Sequence, residues 1–120
     1  MSFTACSSTV FGDLKAHQSL VDLLSNGVDG IYPLLASADE KEKFITYHIK
    51  DNGVVSKDST KRYEVVVESY AADYDTCCEI ADAVEEAFGV SSVAYQQLGG
   101  EPFQTEEGWL FIQQKFNIKI

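Results

Sequence analysis

Polar and apolar positions alternate with a period of two from Arg62 to Tyr70, with Tyr63, Val65 and Val67 on one side and Glu64 and Glu68 flanking Val66 on the other. A β-branched run with this period predicts a half-buried strand. Three residues later the period changes. Asp73 stands where a helix N-cap belongs, and Cys77, Ile80, Ala81, Val84 and Phe88 then recur at the spacing of one helical face. Asp75, Glu79, Asp82 and Glu86 fall on the opposite, acidic face, and Gly89 is expected to cap the C-terminus. A strand with one apolar face and a helix with one apolar stripe bury each other. The rest of the chain is expected to complete that two-layer core.

Read in order, residues 1–8 carry no pattern and are expected to be flexible. A first helix is predicted over Thr9–Ser25 from the stripe Val10, Phe11, Leu14, Leu20, Val21 and Leu24, with Asn26-Gly27 as its stop. Gly30 to Pro33 reads as a short extended segment, since proline suits a strand end or an edge. Leu34–Lys43 is a charged connection with a possible helical turn at S-A-D-E-K. Phe44–Lys50 is a strand in which Phe44, Tyr47 and Ile49 share a face against more polar neighbours, with Ile45 off-pattern. Asp51-Asn52-Gly53 carries turn residues, and Val54–Lys61 is expected to be a long hairpin tip.

After the central strand and helix, Val90–Leu98 is a strand candidate that bends or bulges at Gly99-Gly100-Glu101-Pro102 and resumes at Phe103-Gln104. Thr105–Gly108 is a turn. Trp109–Ile120 is a clear strand: Leu110, Ile112, Phe116, Ile118 and Ile120 share one face, and Trp109, Phe111, Gln113, Lys115, Asn117 and Lys119 the other. The expected order is α-β-β-β-α-β-β, an α+β fold of two helices on one antiparallel sheet, in one domain spanning residues 1–120.

Composition narrows the function classes. A formal net charge of -10 opposes binding to a polyanion and to anionic membranes. No segment reaches the ~20 apolar residues of a membrane span. Residues 1–6, M-S-F-T-A-C, lack the basic region and the long apolar run of a secretion signal. The three cysteines, Cys6, Cys77 and Cys78, form no disulfide framework and suggest reduced thiols. Cys77 and Cys78 are adjacent on a helix and point ~100° apart, so they cannot grip one ion tetrahedrally. His17 and His48 sit in no spacing that recruits a second ligand. No catalytic, cofactor-binding or metal-binding set is assigned, and no phosphate-binding or nucleophile-elbow motif occurs. The acidic row is read as a solvated helix face or a contact for a basic partner.

What exceeds the needs of a core is aromatic. If helices cover one sheet face only, Trp109 and Phe111 lie on the other, and with Phe103 they are candidate subunit-interface residues. The segment Asn52–Thr60 is either a loop or an arm that orders on assembly. An alternative reading is a small protein- or peptide-binding module, and an enzyme is less favoured.

Several strings, in order, carry a family resemblance: V-D-G-I-Y-P at 28–33, F-I-T-Y at 44–47, the stretch from Arg62 to Val84, and G-W-L-F-I-Q-Q-K-F-N-I-K-I at 108–120. With this combination the chain resembles the tail-completion, or tail-terminator, proteins of long-tailed bacteriophages and prophages. It departs from many members at Lys43, where they carry proline. The resemblance implies a non-enzymatic virion component of the tail, assembled in the bacterial cytoplasm. It implies a self-assembled ring, often a hexamer, that caps the head-proximal end of the tail tube. The implied partners are its own copies, the major tail-tube protein and the head–tail connector protein, with no cofactor, membrane or sequence-specific nucleic acid. Acidic charge would suit a ring that DNA passes without sticking.

Overall fold

The computed structural model describes residues 3–36, 42–54 and 61–119. Three α-helices, α1 (Phe3–Ala16), α2 (Gln18–Leu23) and α3 (Tyr74–Gly89), lie on one face of a five-stranded sheet. Its strands are β1 (Ile31–Pro33), β2 (Phe44–Val54), β3 (Lys61–Ala71), β4 (Tyr95–Gln104) and β5 (Leu110–Lys119). Their spatial order is β1-β2-β3-β5-β4. The α+β class and the order of strands about the central helix are as expected. The sheet is mixed, because β1 runs parallel to β2 while every other pairing is antiparallel.

The unit of β3 and α3 forms the centre, as its periodicity demands. Tyr63, Val65, Val67 and Ala71 of β3 are buried beneath Cys77, Ile80, Val84 and Phe88 of α3. Each large apolar side chain removed from water here contributes about 1.5–3 kcal/mol. Asp73 is the predicted cap: its carboxylate accepts the Thr76 backbone N–H at 2.9 Å and the Thr76 hydroxyl at 2.8 Å. These donors hold the Asp73 carboxyl below its usual range. Gly89 does not cap. It is the last helical residue, and Val90 closes the helix by donating its N–H to Glu86 and Phe88 carbonyls.

The first helical region differs most from expectation. The helix begins at Phe3, and Cys6 is fully buried against the core, so the segment 1–8 expected to be flexible is helical from its third residue. His17 then breaks the run with extended backbone. In an unbroken helix Val21, seven residues after Leu14, would share its face. Instead Leu20 is fully buried and Val21 is not, because the break turns α2 so that Leu20 and Leu24 reach the core. Apolar content sets which residues are buried, and a helix of one straight phase cannot bury all of these.

Two strand boundaries also move. β2 runs through Asp51 to Val54 with a register irregularity, where a turn was expected. β4 begins at Tyr95, and residues 90–94 form the turn leading into it. The bulge at the glycine pair is present between Gln97 and Gly99, leaving Leu98 without an opposite partner. Gly100 has to be glycine, since a Cβ there would lie 2.6 Å from the Gln113 carbonyl oxygen. Pro102 sits on the edge strand and offers no N–H to a further strand, a device that blunts an exposed edge. The expected turn at S-A-D-E-K, the tip at 55–60 and the place of Ile120 fall outside the described residues.

Candidate functional site

With all helices on one side, the second sheet face is open, and strand register decides what it displays. The pairings put Phe44, Tyr70, Phe111 and Phe103 in one row across β2, β3, β5 and β4. Their rings stack in sequence. Phe44 to Tyr70 is 4.6 Å between centroids, Tyr70 to Phe111 4.9 Å, and Phe111 to Phe103 5.3 Å, with interplanar angles of 7°, 28° and 23°. Trp109 meets Phe44 edge-on at 5.6 Å, and Tyr32 of β1 does so at 6.2 Å. The candidate residues Trp109, Phe111 and Phe103 are therefore brought onto one face, as parts of a longer aromatic row. Trp109 and Phe111 are half-buried within it, while Phe103 is 40% exposed at its end.

Phe44 and Tyr70 were not among the candidates, though strand parity locates them. Phe44 and Tyr47 are three residues apart and cannot share a face of a regular strand. Once Ile45 and Tyr47 point to the core, Phe44 belongs with Thr46 and His48 on the open side.

Beside the aromatic row lies a polar one: Thr46, Glu68, Gln113 and Glu101. The half-buried Glu68 carboxylate accepts from the Tyr70 hydroxyl at 3.1 Å, Gln113 Nε2 at 3.1 Å and the Thr46 hydroxyl at 3.3 Å. Burial, the negative charge of Glu68 and the hydrogen bond to it push the Tyr70 phenol up to about 12. Such a tyrosine stays protonated at physiological pH and serves as a donor.

The other candidates stay apart. Asp75, Glu79, Asp82 and Glu86 are exposed along α3, and Glu86 Oε2 lies 3.4 Å from His17 Nε2. Among the described residues no group of three or more His, Cys, Asp or Glu side chains is placed to hold a metal ion. Cys77 is buried, with Sγ 3.3 Å from the Leu110 carbonyl oxygen, and burial pushes its thiol up, away from the reactive thiolate. Cys6 is raised for the same reason. Cys78 is half-buried beside the exposed Tyr74. Tyr95 donates to Asp13 at 2.6 Å, and Ser91 donates to the same carboxylate at 2.8 Å, tying α1 to the approach to β4. These contacts hold elements together. They do not converge on a reacting centre.

The sheet edges are unequal. β1 pairs with β2 only at Ile45–Tyr47. It stops at Pro33, where Leu34 takes a left-handed φ of 70° that costs a non-glycine residue about 1–2 kcal/mol. Where β1 stops, a cleft of about 480 Å³ opens between α1 and β2, lined by Phe3, Ser7, Leu34, Tyr47, His48 and Ile49 among others. Of its lining residues Phe3 and Leu34 are 52% and 63% exposed, and Leu35, next in the chain, is 77% exposed. The opposite edge, β4, exposes Leu98 and Phe103.

These features define an α+β protein with one sheet face covered by helices, an aromatic row across the open face and apolar side chains at both edges. No family model and no curated protein matches the chain. Solved structures share its fold. One, a chain from a structure described as "Virion of native gene transfer agent (GTA) particle", superposes with a TM-score of 0.75 at 16% sequence identity. The match covers 93% of this chain and 91% of that one. At such identity the likeness establishes the fold. Among the described residues no helix is long and apolar enough to cross a membrane.

Proposed function

We propose that this chain is a structural, non-enzymatic virion protein of a phage or prophage. The observation that carries the reading is the superposition, over nearly the whole of both chains, on a chain from a gene transfer agent virion. In finer detail the chain is a tail-completion subunit. It forms a ring, a hexamer by the family resemblance, at the head-proximal end of the tail tube, ends tube growth and joins the tail to the head connector. Its partners are its own copies, the major tail-tube protein and the connector protein, and its place is the tail of the virion after assembly in the host cytoplasm. Trp109, Phe111 and Phe103 serve as contact residues, with Phe103 the member free to touch a neighbour. The acidic face of α3 keeps a passing polyanion from adhering if it faces the lumen.

The test is deletion of the gene from the phage or prophage that encodes it, followed by electron microscopy of the lysate. The expected result is tails of uncontrolled length or tails without heads, restored by the gene supplied in trans. Particles of normal tail length joined to heads would overturn the tail-completion role. Absence of the protein from purified virions would overturn the broader virion reading.

A further inference from the structure

The charges of the molecule are sorted between its two sides. On the helix side, α3 carries five exposed carboxylates, Asp75, Glu79, Asp82, Glu85 and Glu86, and no lysine or arginine. The open sheet face is different. Strand parity puts Lys50 with Phe44 and Thr46, Arg62 with Glu68 and Tyr70, and Lys115 with Phe111 and Gln113, so three cations stand on that face. They gather at the end where β2 joins β3, away from the aromatic row, with Lys50 opposite Glu64, Lys115 opposite Val66, and Arg62 opposite Lys119. Asp51 falls with Tyr47 and Ile49 on the helix-side parity. Glu64 is the carboxylate among these cations; Glu68 is taken up by three donors, and Glu101 lies on β4. Although the chain holds 19 Asp and Glu against 9 Lys and Arg, among the described residues none of Lys50, Arg62 and Lys115 has an ion pair. Beside Lys115, where Gly99 and Gly100 have no side chains, a concavity of about 250 Å³ opens between Leu98, Glu101, Gln113 and Lys115.

We infer that the open sheet face is a docking surface, and that its occupant is the acidic side of α3 from a second copy of the chain. Charge complementarity selects the occupant. Cations without carboxylates on one side meet carboxylates without cations on the other, and two like sides repel. A nucleic acid would meet the same cations, but a long polyanion also meets the field of a molecule of net charge -10. A helix brings a row of limited length. From Asp75 to Glu86 the row is ~16 Å long at the helical rise. Two strand spacings of about 4.8 Å separate Lys50 on β2 from Lys115 on β5, so one row reaches both. Apolar residues stand at each end of the row, Tyr74 54% and Val90 76% exposed, and the open face offers Phe103 at the end of its aromatic row. The contact uses different patches on the two copies and lays a helix layer on the sheet face that lacks one. It rests on the reading of this chain as self-assembling, and it gives the α3 row a neighbour in place of a lumen.

Charge reversal on each side tests it. One variant carries Lys50→Glu and Lys115→Glu on the sheet face, the other Glu79→Lys and Asp82→Lys on α3. All four positions are exposed, so thermal unfolding of each variant at low concentration should match the wild type. By sedimentation velocity across a concentration series at low salt, each variant alone is expected to associate at least roughly tenfold more weakly than the wild type. Mixed together they present opposite charges to one another at both kinds of contact, and association is expected to return. Wild-type association should weaken as salt is raised. Variants that associate like the wild type, or a mixture no stronger than its parts, would overturn this contact and leave self-assembly standing through another surface. A wild-type chain that stays monomeric at every concentration, alone and with tail-tube protein, would overturn both. A monomer that retards duplex DNA through Lys50 and Lys115 would overturn them in favour of a polyanion on this face.

Discussion

The two faces of the central sheet are built from the same strands and solve opposite problems. On the covered face, alternate residues of β2, β3 and β5 are aliphatic or aromatic and disappear under α1, α2 and α3. Its polar atoms fare poorly, for the Ser69 hydroxyl and Gln114 Oε1 are buried without a hydrogen-bond partner among the described residues, although Gln114 Nε2 donates to the Ala81 carbonyl at 3.1 Å. On the open face no helix helps, and the strands protect one another. Phe44, Thr46 and Val66 are buried there with no described helix over them, and the half-buried Glu68 collects three donors. Exposure lets a polar group choose its partners, whereas burial is imposed by the pattern of the strand. Apolar residues cluster on both faces, but only the covered one is a core.

Substitutions can break or sharpen this comparison. The largest effect is expected on the covered face, where Phe116→Ala opens a cavity beneath Phe88 and Tyr95 and costs about 3–5 kcal/mol in urea unfolding. The matching change on the open face, Phe111→Ala, removes two stacking contacts and is expected to cost about 1–2 kcal/mol. Equal costs would mean that the aromatic row is as much a core as the covered side, and that its surplus for contact is small.

Next in size is a pH effect confined to the open face. The Tyr70 phenol ionises at about 12 in the fold against its ordinary value of 10. A raised pKa favours the protonated form in the folded state, so this contribution is complete below pH 10 and is lost as pH rises from 10 towards about 12. Glu68→Gln removes the neighbouring charge and leaves an amide oxygen as a weaker acceptor for the phenol. The variant is expected to bring Tyr70 ionisation down towards 10 and narrow that alkaline loss, as read by NMR of 13C-labelled tyrosine. An unmoved Tyr70 would show that burial alone sets its value. The smallest effect is expected from Ser69→Ala, which deletes a buried hydroxyl that has no partner among the described residues and should leave stability unchanged or raised. A clear loss of stability would show that Ser69 is hydrogen-bonded within the core.

Which parts of this were legible beforehand follows from the range of the forces involved. The period-two run of β3, the Asp73 cap, the apolar stripe of α3, the bulge at the glycine pair and the two faces of β5 are local properties, written within about ten residues. The order of elements and the resemblance to tail-completion proteins follow from such local strings. Candidate contact residues Trp109, Phe111 and Phe103 were legible as surplus aromatics because strand parity sets them opposite the core.

The tertiary structure decided the rest. It broke the first helical run at His17, since one straight helix cannot point Leu14 and Leu20 at the same sheet. It extended α1 back to Phe3 because Cys6 found a place in the core. Parallel pairing of β1 with β2, and the insertion of β5 between β3 and β4, are long-range choices that no local period records. That order makes Phe44, Tyr70, Phe111 and Phe103 neighbours across four strands and leaves a cleft beside β2 at one edge. Period and capping are settled by adjacent residues, whereas register and edge are settled only when distant strands compete for the same hydrogen bonds.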